Sequence, residues 1–280
     1  MIKYSHSALK YVIIKWLNYI YFFLEGEIFM TKRRRSVFAA NWKMNLNAKD
    51  AGNFVEDVIP LSKKVDADIL IFPPSLYLPA LIKQSAKSDL KFGAQNIFWE
   101  EEGAYTGEIS AYMLKDCGAK YTLVGHSERR HFFGESAEMV TRKARAAQNE
   151  GIIPIICVGE TLEERENGET MEVLQNDIFC SLSAVDNDEN IIIAYEPVWA
   201  IGTGLTCPPD QAEEAISYIR TQVRELWGSV ADEIRILYGG SVKPSNIAQL
   251  MDCPNIDGAL IGGASLEAES FISIIKNGIK

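Results

Sequence analysis

A series of eight short apolar segments constrains the fold of this chain more than any other feature. Each segment is followed by a polar or glycine-rich break and then by a longer amphipathic stretch, which is typical of strands that alternate with helices and pair in parallel. Segments such as ILIF and IIPIICV are almost continuously apolar, as expected of strands buried on both faces. The segments are residues 36–43, 67–73, 90–96, 119–126, 152–159, 190–197, 234–241 and 256–263. They predict an α/β fold, a single closed (β/α)8 barrel of eight parallel strands ringed by helices.

The stretches between the apolar segments carry helix signals. In residues 136–150, apolar side chains recur at three- and four-residue spacing, which predicts an amphipathic helix that ends at Gly151. Pro209 opens a second helix, which runs to about Trp227 and is followed by Gly228. No linker rich in Pro, Gly or Ser divides the core, and barrels of this kind reach about 250 residues as one domain. The pattern therefore predicts one catalytic domain.

Composition narrows the class of function. The chain has 38 acidic and 28 basic residues, and this net charge of −10 argues against a nucleic-acid partner, which requires clustered Lys and Arg. The five cysteines are scattered, with no C-x-x-C pair and no His-rich neighbourhood that would form a metal site. They are Cys117, Cys157, Cys180, Cys207 and Cys253. We expect reduced thiols, mostly in the core, in a cytoplasmic protein without a metal ion or cofactor.

Polar residues concentrate where the predicted strands end. In a barrel of this class the functional site is built at the C-terminal ends of the strands. Those ends carry Asn41, Lys43, Gln95, Asn96, His126, Glu196, Gly239, Gly240, Ser241, Gly262 and Gly263. Together they supply a base, an electrophile, a cation and glycine-rich turns whose N–H groups can hold an oxyanion. This set suits proton abstraction beside a carbonyl of a phosphorylated substrate.

Five motifs in chain order resemble those of the triosephosphate isomerase family. They are NWKMN (41–45), VGHSERR (124–130), AYEPVWAIGTG (194–204), YGGSV (238–242) and IGGASL (261–266). The resemblance extends over residues 36–275. It implies a TIM barrel and an aldose–ketose isomerase of glycolysis and gluconeogenesis. Such an enzyme interconverts dihydroxyacetone phosphate and D-glyceraldehyde 3-phosphate through an enediolate.

The resemblance also implies roles for individual residues. Glu196 corresponds to the catalytic base and His126 to the electrophile, and in this family a neutral imidazole at a helix N-terminus is the established electrophile. Asn41 and Lys43 correspond to catalytic and substrate-binding groups. Glu128 is expected to hold the site through hydrogen bonds and not to transfer protons. The remaining substrate-binding positions, which meet the phosphate, are Gly202, Ser241, Gly262 and Gly263.

Two long connections are expected to be functional. Residues 197–206 are interpreted as a lid that excludes water from the reaction, although Leu205, Thr206 and Cys207 depart from the smaller or more polar residues of many relatives. The segment 96–108 is long for a βα loop. In the resembled family this loop, here containing Thr106, inserts into a neighbouring subunit, which implies a homodimer.

Three other functions could be carried out by a barrel of this kind. A metal-dependent epimerase would require His and Asp ligands at strand ends, but only His126 is available there. A Schiff-base aldolase would require a lysine on an interior strand, for which Lys43 is the candidate. A barrel that only binds a ligand would not need a carboxylate such as Glu196. None of them accounts for Glu196 together with its lid.

The first residues differ from the rest of the chain. Residues 1–29 are predicted to be an N-terminal extension outside the fold, and residues 30–280 the catalytic barrel domain. The apolar run 11–24 contains 14 residues, fewer than the roughly 20 needed to span a bilayer, and no small-residue cleavage site follows it. An alternative is that Met30 is the true start. No membrane partner is expected.

Overall fold

A computed structural model describes residues 34–201 and 205–279, which contain a closed barrel of parallel strands in the order β1 to β8. The strands are β1 Ser36–Asn41, β2 Ala67–Phe72, β3 Lys91–Ala94, β4 Tyr121–Val124, β5 Ile153–Val158, β6 Ile192–Tyr195, β7 Arg235–Tyr238 and β8 Gly258–Ile261. Each lies within one predicted segment, so the predicted (β/α)8 barrel is confirmed. The expected extension at 1–29, the alternative start Met30 and the expected phosphate ligand Gly202 lie outside the described residues.

Helices surround this barrel. In the described part of the chain they are α1 Ala48–Ser62, α2 Leu78–Gln84, α3 Ala111–Asp116, α4 Ser127–Phe133, α5 Ala137–Asn149, α6 Leu162–Glu166, α7 Thr170–Leu182, α8 Pro209–Trp227, α9 Ile247–Asp252 and α10 Ala268–Gly278. The predicted helices at 136–150 and from Pro209 to Trp227 are confirmed as α5 and α8. Gly151 and Gly228 follow them with φ of 71° and 63°, a left-handed backbone that suits glycine and ends a helix.

Side chains of each strand alternate between two parts of the core. Along β1, Val37 and Ala39 belong to the cluster inside the barrel, whereas Phe38 and Ala40 pack against the surrounding helices. Continuing the alternation places Asn41 toward the barrel interior. On β6 the inward residues Ile192 and Ala194 precede Glu196 in the same way. The strand period therefore directs polar residues at the C-terminal ends into one space.

A polar layer fills the opposite, N-terminal end of the barrel. Asp68 on β2 accepts hydrogen bonds from Arg35 at 3.0 Å, Lys91 at 2.8 Å and Arg235 at 3.0 Å. Burial alone would raise the pKa of Asp68, but Lys91 and the two arginines hold it below its usual value. Lys91 lies on a strand, β3. The sequence analysis named only Lys43 as the candidate for a Schiff-base lysine. Because the Lys91 ammonium is paired at the end away from the predicted site, it adds no support for an aldolase.

Candidate active site

The C-terminal ends of the strands enclose a cavity of about 240 Å³. Its lining includes the predicted residues Asn41, Lys43, His126, Glu196, Ser241, Gly262 and Gly263, together with Ile201, Gly239, Gly240, Val242, Lys243, Leu260 and Ala264. The catalytic and substrate-binding residues that the family resemblance predicts within the described part of the chain therefore meet in this cavity. Gln95, Asn96 and Glu128 instead line a neighbouring cavity. The size of the first cavity suits a small substrate and not a dinucleotide.

Glu196 lies at the end of β6 with only 2% of its surface exposed. Its Oε2 accepts a hydrogen bond of 2.8 Å from the backbone N–H of Ser127, at the start of α4. Its Oε1 lies 3.1 Å from Nε2 of His126, but the two atoms are not aligned as a hydrogen bond and Oε1 has no hydrogen-bond partner. Buried polar atoms are usually paired, and an unpaired one calls for an explanation. One oxygen of this carboxylate is thus held in place while the other remains available to accept a proton.

His126 connects β4 to α4 and is itself the residue that caps this helix. Its Nδ1 accepts a hydrogen bond of 3.2 Å from the backbone N–H of Glu128. A nitrogen that accepts carries no proton, so a neutral ring has its proton on Nε2, the nitrogen nearer to Glu196. His126 is therefore set to donate a hydrogen bond through Nε2.

Lys43 has a left-handed backbone, with φ of 53°, which is uncommon for a residue other than glycine. Its N–H donates to Oδ1 of Asn41 at 3.0 Å, and its carbonyl accepts from Nε2 of Gln95 at 2.7 Å. Its ammonium donates to Glu128 at 2.7 Å, as the structural role expected for Glu128 requires. Such backbone strain costs about 1–3 kcal/mol and persists where neighbours hold it. Asn41 and Gln95 supply that support.

Glycines allow close packing around Glu196. A Cβ on Gly159 would lie 1.8 Å from the carbonyl oxygen of Glu196, and one on Gly239 would lie 2.9 Å from its Cγ. The sequence analysis interpreted Gly239 as part of an oxyanion-binding turn and did not consider Gly159. Here Gly239 makes room for the side chain of Glu196, and Gly159 makes room for its backbone carbonyl. Only the spatial approach of β5, β6 and β7 reveals this requirement.

The first part of the expected lid is anchored by Glu160, another residue that the sequence analysis missed. A 3-10 turn at Val198–Ala200 follows Glu196, and the indole N–H of Trp199 donates to Glu160 at 2.9 Å. The hydroxyl of Tyr195 and the guanidinium of Arg165 donate to the same oxygen, at 3.1 and 3.0 Å. Glu160 is fully buried, so this junction is rigid and polar.

The rear of the expected lid meets the barrel at Cys207. This side chain is buried, whereas Leu205 is 54% exposed. Burial raises the pKa of the Cys207 thiol to about 12. Of the other cysteines within the described residues, Cys157 is buried and Cys117, Cys180 and Cys253 are half-buried. The thiols are therefore less uniformly part of the core than the sequence analysis expected.

Across 34–201 and 205–279, no group of three or more His, Cys, Asp or Glu side chains is arranged to hold a metal ion. No helix within these ranges has both the length and the apolar character needed to cross a bilayer.

Comparison with known proteins places the chain in a family. A family model described as triosephosphate isomerase matches residues 36–278. A triosephosphate isomerase of Thermoanaerobacter pseudethanolicus is 48% identical over 245 residues, covering 86% of this chain and 99% of the relative. One from Moorella thermoacetica is 46% identical over 244 residues, covering 86% and 98%. With these matches over the whole barrel and the site at its strand ends, the chain belongs to the triosephosphate isomerase family.

Proposed function

We propose that this chain interconverts dihydroxyacetone phosphate and D-glyceraldehyde 3-phosphate, with Glu196 moving a proton between neighbouring carbons. Family membership supports the reaction, an aldose–ketose isomerisation of glycolysis and gluconeogenesis. One observation carries the choice of base. The buried Oε1 of Glu196 has no hydrogen-bond donor and lines the cavity together with His126.

The reaction needs one base and one electrophile. Oε1 of Glu196 takes a proton from the carbon beside the substrate carbonyl, and the electron pair of that C–H bond forms the enediolate. The Nε2–H of His126 donates to the oxygen that gains charge, and the Lys43 ammonium stabilises the same anion in a water-poor cavity. His126 gives its Nε2 proton to that oxygen and takes the proton of the neighbouring hydroxyl in exchange, while Glu196 returns its proton to the neighbouring carbon. No atom or electron is gained or lost overall, so a cofactor has no part in the balance.

The phosphate is assigned to the glycine-rich turns after β7 and β8. Ser241, Gly262 and Gly263 line the cavity together with His126 and Glu196. A 3-10 turn at Gly263–Ser265 begins there, and α10 starts only at Ala268. The main-chain N–H groups of such a turn can hold an oxyanion. Gly202 would complete this grip from the lid.

We also propose a homodimer in which the loop containing Thr106 enters the partner's site. Within this chain the connection from β3 to α3 runs from 95 to 110 without a helix, and Tyr105 in it packs its ring against Phe98 at 4.5 Å. Aromatic packing gives the long loop a defined shape. Residues 101–108 of this loop are exposed, so they are accessible to a neighbouring subunit.

A second cavity beside the active site supports the dimer proposal. It has a volume of about 370 Å³ and is lined by residues that include Lys43, His126 and Glu128. Two of its other lining residues, Met44 and Phe133, are 95% and 67% exposed. Exposed apolar surface of this kind marks an interaction site. A Thr106→Arg variant should shift the mass measured by light scattering toward the monomer and lower activity; a wild-type monomer with full activity would contradict the dimer.

The cellular proposal is a cytoplasmic enzyme whose catalytic domain is residues 30–280. The family match begins at residue 36, so the extension at 1–29 contributes no matched motif. A form starting at Met30 should have the same turnover number as the full chain. Isomerase activity that sediments with membranes in fractionated cells would contradict the cytoplasmic assignment.

The base is tested by Glu196→Asp, which retracts the carboxylate by one methylene. Misplacement by about 1 Å can cost roughly a hundredfold, so kcat should fall at least that far in an assay linked to a dehydrogenase. Binding of glycerol 3-phosphate, which has the phosphate but no carbonyl, should change less than about threefold. Glu189→Asp, exposed just before the start of the same strand, is the matched control. A kcat for Glu196→Asp within a few fold of wild type would show that the base is elsewhere.

A further inference from the structure

Arg130 occupies a place between the strands that carry His126 and Glu196. The paired residues of β4 and β5 end at Val124 and Ile156. Just beyond this end, Nε of Arg130 donates to the carbonyl of Gly125 at 2.9 Å, and Nη2 donates to the carbonyl of Cys157 at 3.1 Å. A planar guanidinium thus continues the connection between the two strands where their backbone pairing has stopped.

Both carbonyls belong to backbone that leads directly to a reacting group. Gly125 immediately precedes His126, and a Cβ at Gly125 would lie 3.2 Å from Nη2 of Arg130, so the contact is tight. Cys157 immediately precedes Val158, whose carbonyl accepts the N–H of Glu196 at 2.8 Å. One hydrogen bond therefore links the guanidinium to the residue before His126, and two hydrogen bonds link it to the backbone of Glu196.

The end of β5 is tied to Arg130 a second time, through Asp177 on α7. Nη1 of Arg130 lies 3.6 Å from Oδ1 of Asp177, and Oδ2 of Asp177 accepts the N–H of Gly159 at 3.4 Å. Gly159 in turn packs against the carbonyl of Glu196 so closely that it tolerates no Cβ. Asp177 is 16% exposed and Arg130 is 23% exposed. The pair therefore orients the arginine in a largely enclosed setting.

We propose that Arg130, oriented by Asp177, is a positioning residue that sets the separation between the His126 imidazole and the Glu196 carboxylate. This inference rests on the proposed function of those two groups. Arg130 does not line the substrate cavity of about 240 Å³; it lies behind Glu196 in a separate cavity of about 320 Å³. Because this separate cavity is open, the ends of β4 and β5 have room to shift when the guanidinium is removed.

The main test replaces Arg130 by Met, which keeps much of the side-chain volume and removes the bridge. Misplacement by about 1 Å can cost roughly a hundredfold in rate. A shift of the catalytic pair by a fraction of an ångström should therefore lower kcat by about tenfold or more. Binding of glycerol 3-phosphate should stay within about threefold, because the phosphate turns are on other strands. Arg145→Met is the matched control, since Arg145 also bonds a backbone carbonyl and an aspartate, at an exposed site.

Chemical rescue separates positioning from folding. In Arg130→Ala, ethylguanidine can occupy the space left by the missing part of the side chain, and it should raise kcat per folded molecule severalfold. Ethylamine at the same concentration should not, because a single ammonium cannot bridge both carbonyls in one plane. Asp177→Asn keeps an acceptor for Gly159 and loses the charge that orients Arg130, so it should lower kcat less than Arg130→Met.

The outcomes are separable. A kcat for Arg130→Met within threefold of wild type, or an equal loss in Arg145→Met, would overturn the inference. If the Arg130 variants do not fold, an unchanged kcat in Asp177→Asn would overturn it. Absence of isomerase activity in the wild-type chain would instead refute the proposed function, whereas an active wild type with insensitive variants would refute the role of Arg130 alone.

Discussion

Substitution of Gly239 tests whether turnover depends on the close packing around Glu196. The substitution crowds the Glu196 side chain and leaves its carboxylate chemically unchanged. In Gly239→Ala the new Cβ would lie 2.9 Å from Cγ of Glu196 and 3.0 Å from the carbonyl oxygen of Tyr195. Carbon atoms in favourable contact are about 3.5–4.0 Å apart. The Tyr195 carbonyl belongs to the barrel backbone and cannot readily move, so the Glu196 side chain must retreat by roughly 0.6–1 Å.

The size of the effect follows from that displacement. Since about 1 Å of misplacement costs roughly a hundredfold, we expect kcat to fall by about 10- to 100-fold, equivalent to about 1.4–2.7 kcal/mol in the activation barrier. Binding of glycerol 3-phosphate should change by less than about threefold, because the methyl group presses on the carboxylate. The variant should therefore lose turnover and keep affinity.

The assay follows isomerisation through a linked dehydrogenase, with the fraction of folded protein measured in parallel. Gly52→Ala is the matched control, because Gly52 lies within α1 and an added Cβ there meets only the end of the Gln84 side chain, at 3.4 Å. It should leave kcat unchanged. If Gly239→Ala retains kcat within about threefold while Glu196→Asp does not, the close packing around the base is not needed for turnover, and the reasoning fails.

Three further predictions concern stability and thiol chemistry. Lys143→Met should lower the free energy of unfolding by about 3–5 kcal/mol in urea, because it leaves the buried carboxylate of Glu135 without the ammonium 2.6 Å away; a loss under 1 kcal/mol would contradict this. Burial alone would raise the pKa of Glu135, but Lys143 and Arg129 hold it below its ordinary value of 4.5. The stability that ionised Glu135 contributes is therefore complete above about pH 4.5, and it is lost as the pH falls through the lower pKa of the folded state. Below pH 4.5 the free energy of unfolding should therefore fall more steeply in wild type than in Glu135→Gln. With a thiol pKa of about 12, Cys207 should be alkylated by iodoacetamide at pH 8 only after unfolding, which peptide mass spectrometry would detect; rapid labelling of the native protein would contradict its burial.

Much of the architecture could be predicted from local patterns. Strand segments buried on both faces must be apolar throughout, so the pattern identified all of them, and Pro209 and Gly228 marked the ends of α8 because one lacks a backbone N–H and the other adopts a left-handed turn. The site residues Asn41 and Glu196 were identifiable because they immediately follow such segments. These features depend on residues close together in the chain, and a sequence displays such relations directly.

Only the tertiary structure showed how the site is held. The N–H of Ser127 reaches Glu196 across 69 positions of sequence, and Asp68 meets Arg235 across 167. The periodicity of the sequence does not predict such pairs, because closure of the barrel brings the paired residues together and local propensity does not. The need for glycine at Gly159 likewise arises from the carbonyl of Glu196 on the neighbouring strand. The sequence by itself determined which chemical groups stand at the strand ends, whereas the closed barrel decided their distances, because register and packing are properties of all eight strands together.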